Sequence, residues 1–195
     1  TPLHGTANKP VQNVLAELGF DNLNVIEKQA EPDSDFPTVE SPNPEKRSSF
    51  DMALAEAEEE NPDIIMGTDP DGDRMGLVVK NDEDEYICLN GNQTGVLLAN
   101  YILERTEVPE NGVIVKTIVT TEMVTEIASA YDLEVQDVLT GFKYIGEKIN
   151  EFQESGDKSF IFGFEESYGY LAGTHVRDKD AVVACALAAS MALYY

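Results

Sequence analysis

The segment that decides the reading is Asp63-Ile64-Ile65-Met66-Gly67-Thr68-Asp69-Pro70-Asp71-Gly72-Asp73-Arg74-Met75-Gly76-Leu77-Val78-Val79-Lys80. Its two apolar runs, 63–68 and 75–80, read as strands, and the polar loop Asp69–Arg74 joins them. Asp69, Asp71 and Asp73 occupy alternate positions, so three carboxylates can converge on one hard cation, because Mg²⁺ and Ca²⁺ prefer oxygen ligands. Pro70 and Gly72 give the backbone the tight curl that this convergence needs. One divalent ion together with Arg74 neutralises the three charges. Mg²⁺ usually keeps positions open for substrate oxygens, which favours a catalytic metal over a structural one.

Three other readings of the loop compete. An acidic turn without a ligand is the plainest. An EF-hand also begins with alternating aspartates, but here the glycine falls too early, position twelve is Lys80 rather than Glu, and strands flank the loop. A haloacid-dehalogenase phosphatase would use Asp69 as nucleophile in a strand-end Asp-x-Asp, yet Asp73 stands where that motif takes Thr or Val.

Outward from this hairpin the chain alternates strands and helices. Upstream, Asn8 is placed to cap a helix bearing Val11, Val14, Leu15 and Leu18 on one face, closed by Gly19. Leu23 to Glu27 reads as a short strand. Pro32, Pro37, Pro42 and Pro44 mark an irregular loop, and Ser48 with Asp51 suggests a capping box for a helix from Phe50 to about Glu60. Downstream, strands are expected at 86–89, 113–119, 134–139 and 159–164. Helices are expected at 92–105, 122–131 and 142–152, with an apolar, Ala-rich helix closing the chain. This alternation gives an α/β fold with mixed, largely parallel sheets in two consecutive domains, 1–84 and 85–195.

Composition sets the outer limits. The 195 residues are 42% hydrophobic and 26% charged, with 13 Lys and Arg against 37 Asp and Glu and a formal charge of −24. Such an excess disfavours nucleic acid and anionic membrane surfaces as partners. The closing apolar stretch is shorter than the ~18 residues of a spanning helix. Two cysteines, Cys88 and Cys185, show no disulfide or CxxC pattern, so a reducing cytoplasm is the expectation. The chain opens on Thr1 and closes inside a helical pattern, as expected of a segment of something longer.

The loop DPDGDR resembles the metal-binding loop of the α-D-phosphohexomutases, and four other segments match that family in order. Thr1-Pro2-Leu3-His4-Gly5 is similar to the opening of its second domain. Thr140-Gly141-Phe142-Lys143 is similar to its TG-x-K element. Phe164-Glu165-Glu166-Ser167-Tyr168-Gly169 resembles its sugar-binding loop, and His175-Val176-Arg177-Asp178-Lys179-Asp180 its HIR(D/E)KDG segment. Two glycines of the family pattern are Phe164 and Ala181 here. Together these segments span nearly the whole chain.

The resemblance implies a three-layer-like α/β fold for both domains and a set of roles. Asp69, Asp71 and Asp73 would hold Mg²⁺ beside a phosphoserine, with Arg74 next to that phosphate. Glu165 and Ser167 would bond adjacent sugar hydroxyls, with Glu166 pointing away toward a structural partner. Thr140, Gly141, Lys143 and Arg177 would help bind the sugar phosphate, and His175 and Lys179 would lie near the reacting end. The implied reaction interconverts glucose 1-phosphate and glucose 6-phosphate through a 1,6-bisphosphate. The family's phosphoserine loop T-A-S-H-N-P and distal phosphate loop R-P-S-G-T-E-P do not occur in these residues, so they are expected to be inactive alone and to need the first and last domains as partners. Read from the residues only, His175 is more simply structural, Lys143 a surface lysine, and 177–180 a solvated helix entrance. A non-catalytic sugar-phosphate or metal-binding module is the remaining alternative.

Overall fold

A computed structural model describes all 195 residues, Thr1–Tyr195. They form two compact units, one of Thr1–Asn90 with Ala181–Tyr195 and one of Gly91–Asp180.

The first unit holds helix α1 (Asn8–Glu17), helix α2 (Asp51–Glu60), strands β1 (Ile64–Thr68), β2 (Met75–Lys80) and β3 (Tyr86–Leu89), and the closing helix α6 (Ala181–Tyr194). Its sheet has the order β1-β2-β3 and is antiparallel throughout. The expectation of a largely parallel sheet fails here because both connections are short hairpin loops, which cannot carry a parallel crossover. Gly67 and Gly76 face each other across β1 and β2, and their missing side chains leave a slot for the Phe50 ring, whose atoms lie 2.6 and 2.9 Å from where the two Cβ atoms would stand. Phe50 with Ile26, Ala53, Ala57, Ile65 and Val78 forms the core of the unit. The small buried residues Ala181, Ala184, Cys185 and Ala188 let α6 pack with α1, β1 and β2.

Three local expectations change. No strand forms at 23–27; residues 21–26 are irregular and Glu27–Gln29 is a 3₁₀ turn. The edge of β1 is taken instead by Thr1, whose nitrogen donates to the Met66 carbonyl at 2.6 Å and whose carbonyl accepts the Thr68 N–H at 3.1 Å. Asn8 lies inside α1 rather than capping it: Ala7 is the cap, and the Asn8 amide donates to Ala30 at 2.6 Å. A 3₁₀ turn, Arg47–Phe50, leads into α2 without a side-chain cap, and Ser49 rather than Ser48 fastens that entry by donating to the Asn43 carbonyl at 2.7 Å.

The second unit holds helices α3 (Gly91–Arg105), α4 (Met123–Ser129) and α5 (Phe142–Ser155), and strands β4 (Gly112–Thr117), β5 (Glu134–Val138), β6 (Ser159–Glu165) and β7 (Gly169–Ala172). The sheet order is β5-β4-β6-β7, with β4 parallel to β5 and β6, and the additional strand β7 antiparallel at the edge. β4 is buried along its whole length, as a central parallel strand covered on both faces must be. Val113, Val115, Phe160 and Leu171 pack with Ile145, Ile149 and Phe152 of α5. A register shift between β4 and β6 at Val113/Ile114 turns Phe162 and Phe164 to the other face, where the Phe164 ring fits over Gly95 of α3. No helix of either unit is long and apolar enough to cross a membrane.

Candidate functional site

The acidic loop is a hairpin connection between β1 and β2, closed by the pair Thr68↔Met75. Inside it the Gly72 N–H donates to the Asp69 carbonyl at 3.1 Å, and Gly72 takes a φ of +74° that a side chain would resist. The opening segment of the chain braces the loop from outside. Thr6 N–H donates to the Pro70 carbonyl at 2.8 Å, and a methyl group on Gly5 would lie 2.5 Å from Pro70 Cα. His4 secures that brace: its Nδ1 donates to the Glu31 carbonyl at 3.2 Å, which leaves Nε2 to accept from the Thr38 hydroxyl at 2.8 Å. From the other side the first N–H of α6, on Ala181, donates to the Gly72 carbonyl at 3.3 Å.

Within this frame Asp69 is fully buried. Its Oδ1 accepts the backbone N–H groups of Asp73 at 3.1 Å and Arg74 at 3.0 Å, and its Oδ2 accepts Arg74 Nε at 2.6 Å. Burial pushes the Asp69 carboxyl up, but the hydrogen bonds from the Arg74 backbone and guanidinium and from Asp73 outweigh it and hold the group below the usual carboxylate range. Arg74 is also desolvated, yet Asp69 and Glu45, the latter at 2.9 Å, keep its guanidinium firmly charged. The three aspartates present one oxygen each within 4.8 Å of one another, from a buried Asp69, an exposed Asp71 and a half-buried Asp73. An all-carboxylate set so close repels itself unless a cation is shared, and it suits a hard divalent ion.

The second unit carries the Glu165–Ser167 loop at the turn from β6 to β7. Glu165, paired with Gly169 across that turn, is buried. Lys179 Nζ stands 3.9 Å from its Oε1 and 5.8 Å from the centre of the Phe142 ring, so the Thr140–Lys143 turn and the Glu165 loop meet around one ammonium. Gly141, with φ +112°, leads into α5, and Lys143 Nζ lies over the Tyr144 ring at 4.7 Å. His175 Nε2 is 3.0 Å from Asp180 Oδ2. Arg177 donates to the carbonyls of Thr174 and Val176 at 2.7 and 2.9 Å and to the side chains of Asn150 and Gln153 on α5, which ties the 174–177 loop to that helix.

Burial is the main cause of a raised Glu165 carboxyl pKa; Lys179 and a hydrogen bond from Ser167 oppose it, and Glu166 and Asp178 add to it. The folded state therefore holds this proton more tightly than the unfolded chain, so its stability falls as pH rises from the ordinary glutamate range through the folded value. We expect the NMR titration midpoint of Glu165 to lie above that range and to rise further in Lys179→Met. A midpoint unmoved by that change would mean that Lys179 does not act on Glu165.

The sequence reading missed a buried group beside this loop. Lys116, inside β4, has no exposed surface and pairs with Asp137 at 2.8 Å and Glu122 at 2.9 Å. Desolvation alone would lower its pKa, but these two carboxylates hold it above the ordinary lysine value. Thr117 and Thr120 stand next to it, both buried. The available signal was a lysine inside an otherwise apolar run, Gly112-Val113-Ile114-Val115-Lys116-Thr117.

A braced hairpin presenting three carboxylates beside an arginine marks the chain as an α/β protein with a candidate site for a hard divalent cation. Residues 1–83 match the family described as phosphoglucomutase/phosphomannomutase, alpha/beta/alpha domain II, and residues 90–195 match domain III of the same family. The chain belongs to the phosphoglucomutase/phosphomannomutase family. It is 42% identical over 182 residues to a phosphoglucomutase of Staphylococcus haemolyticus, covering 93% of this chain and 33% of that protein. It is 39% identical to a phosphoglucomutase of Staphylococcus aureus over the same shares. The chain thus spans about a third of the curated relatives it matches. A phosphoglucomutase/phosphomannomutase family protein of Burkholderia thailandensis shares the fold at a TM-score of 0.73 and 19% identity, over 95% of this chain and 37% of that one.

Proposed function

We propose that these residues are the metal-binding and sugar-binding part of a phosphohexomutase that interconverts glucose 1-phosphate and glucose 6-phosphate. The observation that carries the reading is the convergence of Asp69, Asp71 and Asp73 beside Arg74 on one braced hairpin. The ion this set suits best is Mg²⁺, which when bound supplies positive charge against a phosphoryl group in transfer. Arg74, held by Asp69 and Glu45, presents a fixed cation to the same phosphate. Glu165 and Ser167 receive the hydroxyls of the hexose, helped by Thr140, Gly141, Lys143 and Arg177. His175, oriented by Asp180, and Lys179, beside Glu165, are the groups proposed to position or exchange protons at the reacting end.

A phosphoserine passes its phosphoryl group to the hexose and recovers the other one from the resulting 1,6-bisphosphate. Serine and the distal phosphate clamp belong to further domains of a longer polypeptide, so residues 1–84 and 85–195 act as its second and third domains, in the cytoplasm. The phosphatase alternative is disfavoured by Asp73, which stands where that motif takes Thr or Val, and by the match of residues 1–83 and 90–195 to the phosphoglucomutase/phosphomannomutase family.

The test is a mutase assay on the longer polypeptide with glucose 1-phosphate, a catalytic amount of bisphosphate and Mg²⁺. Conversion is expected to disappear with EDTA and to fall by about 10³-fold in Asp71→Asn, the scale of losing one electrostatic contact to a transition state. Absence of conversion of any hexose phosphate by folded, phosphorylated protein would sink the reading.

A further inference from the structure

Between Glu165 and Ser167 stands Glu166, and the structure gives it a different task from its neighbours. Glu166 opens the turn between β6 and β7, and its side chain reaches the loop that follows β4. Its Oε2 accepts the Thr117 hydroxyl at 3.0 Å and the Thr120 hydroxyl at 3.3 Å. Its own N–H donates back to Thr120 Oγ1 at 3.2 Å. The two threonine hydroxyls are 2.6 Å apart, so two protons serve three contacts: Thr117 donates to the carboxylate, Thr120 donates either to Thr117 or, over the longer 3.3 Å, to the carboxylate, and the Glu166 N–H donates to Thr120.

The platform under these threonines is the buried Lys116, which donates to the Thr120 carbonyl at 3.2 Å and is itself neutralised by Asp137 and Glu122. The backbone of Glu166 is fixed from a second direction. A Cβ on Gly91, the first residue of α3, would lie 2.0 Å from the Glu166 carbonyl oxygen, so the loop is seated against the start of that helix as closely as glycine permits.

We propose that Glu166, fastened by Thr117 and Thr120 on the Lys116 ion-pair cluster, is the positioning residue that sets the Glu165–Ser167 pair for its ligand. The proposal rests on the sugar-binding reading of that pair and adds the group that holds it. Glu165 and Ser167 flank a residue locked at both its side chain and its carbonyl, so their spacing is fixed before any ligand arrives, which lowers the ordering cost of binding. The effect belongs to binding more than to the chemical step, because the same two contacts would hold the hexose throughout the reaction.

The experiment has two arms and uses a Thr117→Val/Thr120→Val double variant beside a Thr117→Ser/Thr120→Ser double variant. Valine keeps the volume and removes the hydroxyls; serine restores them. In the 195-residue chain, amide hydrogen exchange at Glu166, Ser167 and Tyr168 is expected to rise about tenfold or more with valine and to return toward wild type with serine. In the longer polypeptide, KM for glucose 1-phosphate is expected to rise about tenfold with valine, with kcat changed less than about twofold, and serine should recover it. An unchanged exchange rate, an unchanged KM, or a loss confined to kcat overturns the proposal. If the wild-type polypeptide shows no mutase activity, the functional reading fails instead, and the exchange arm alone decides whether Glu166 holds the loop.

Discussion

Replacing Asp69 by alanine is expected to cost the first unit about 3 kcal/mol, seen as a fall of about 10 °C in its unfolding midpoint. The carboxylate is fully buried and takes three donors. Its removal leaves two loop N–H groups without their acceptor and reduces Arg74 to its contacts with Glu45 and the more distant Asp73 at 3.8 Å. An unsatisfied buried donor costs roughly 1–3 kcal/mol, and a broken charged pair more when both ends are dry. Arg74 keeps some exposure, which holds the figure near the lower end. Asp71→Asn, at an exposed position of the same loop, should change stability by less than about 0.5 kcal/mol while removing activity from the longer polypeptide. This separation is the discriminating result. Equal stability losses for the two substitutions, measured by thermal unfolding followed by circular dichroism, would show that Asp69 is not the keystone of the loop.

Gly91→Ala should also be damaging, in the second unit. The added methyl would meet the Glu166 carbonyl oxygen at 2.0 Å, its carbonyl carbon at 2.8 Å and the Tyr168 nitrogen at 3.0 Å. All three are backbone atoms, so no side chain can swing away, and either α3 or the β6–β7 turn must move. Overpacking of this kind typically costs about 1–3 kcal/mol, and here the displaced turn also carries Glu165 and Ser167. The expected outcome is a loss of about 2 kcal/mol together with near-complete loss of hexose-phosphate turnover in the longer polypeptide. A helix-interior comparison is Gly146→Ala, which brings a methyl to 2.4 Å from the Arg177 carbonyl; it should perturb the 174–177 loop and leave the Glu166 amide unshifted in NMR spectra. A Gly91→Ala protein with wild-type stability and activity would mean that the loop is not seated on α3.

Much of this was legible from the chain alone because it depends on local pattern. The two runs around Asp69–Arg74 became β1 and β2 with almost the expected limits. The helices α3 and α5 formed where periodicity placed them. What was not legible depends on contacts far apart in sequence. Leu23–Glu27 has strand-like composition, but the edge it might have joined is held by Thr1, 65 residues from its Met66 partner. The antiparallel sheet of the first unit follows from loop length, not from strand composition, which does not report direction. β7 is four residues long, too short for an alternation to register. Lys116 is only one lysine in an apolar run until the strand proves to be central and two carboxylates arrive from the Thr120–Glu122 and β5 segments. For the candidate site, alternate aspartates announced their own convergence. The role of Glu166 needed the position of Thr117 and Thr120, some 46 to 49 residues upstream.

The grouping of α6 with the first unit gives that unit a discontinuous chain: its sheet and two helices come from Thr1–Asn90, and its last helix follows the whole of Gly91–Asp180. As the polypeptide leaves the ribosome, the later-numbered unit is therefore completed before the earlier one. The first 90 residues emerge lacking the apolar partner against which α1, β1 and β2 pack, and they must wait for the second unit to be made. During that interval Leu15 and the inner face of β1 are without their cover, a state that invites association with other unfinished chains. Assembly of the braced aspartate loop, which receives the Ala181 N–H at its Gly72 carbonyl, is correspondingly a late event. The loop reaches its final form only after the second unit has been made.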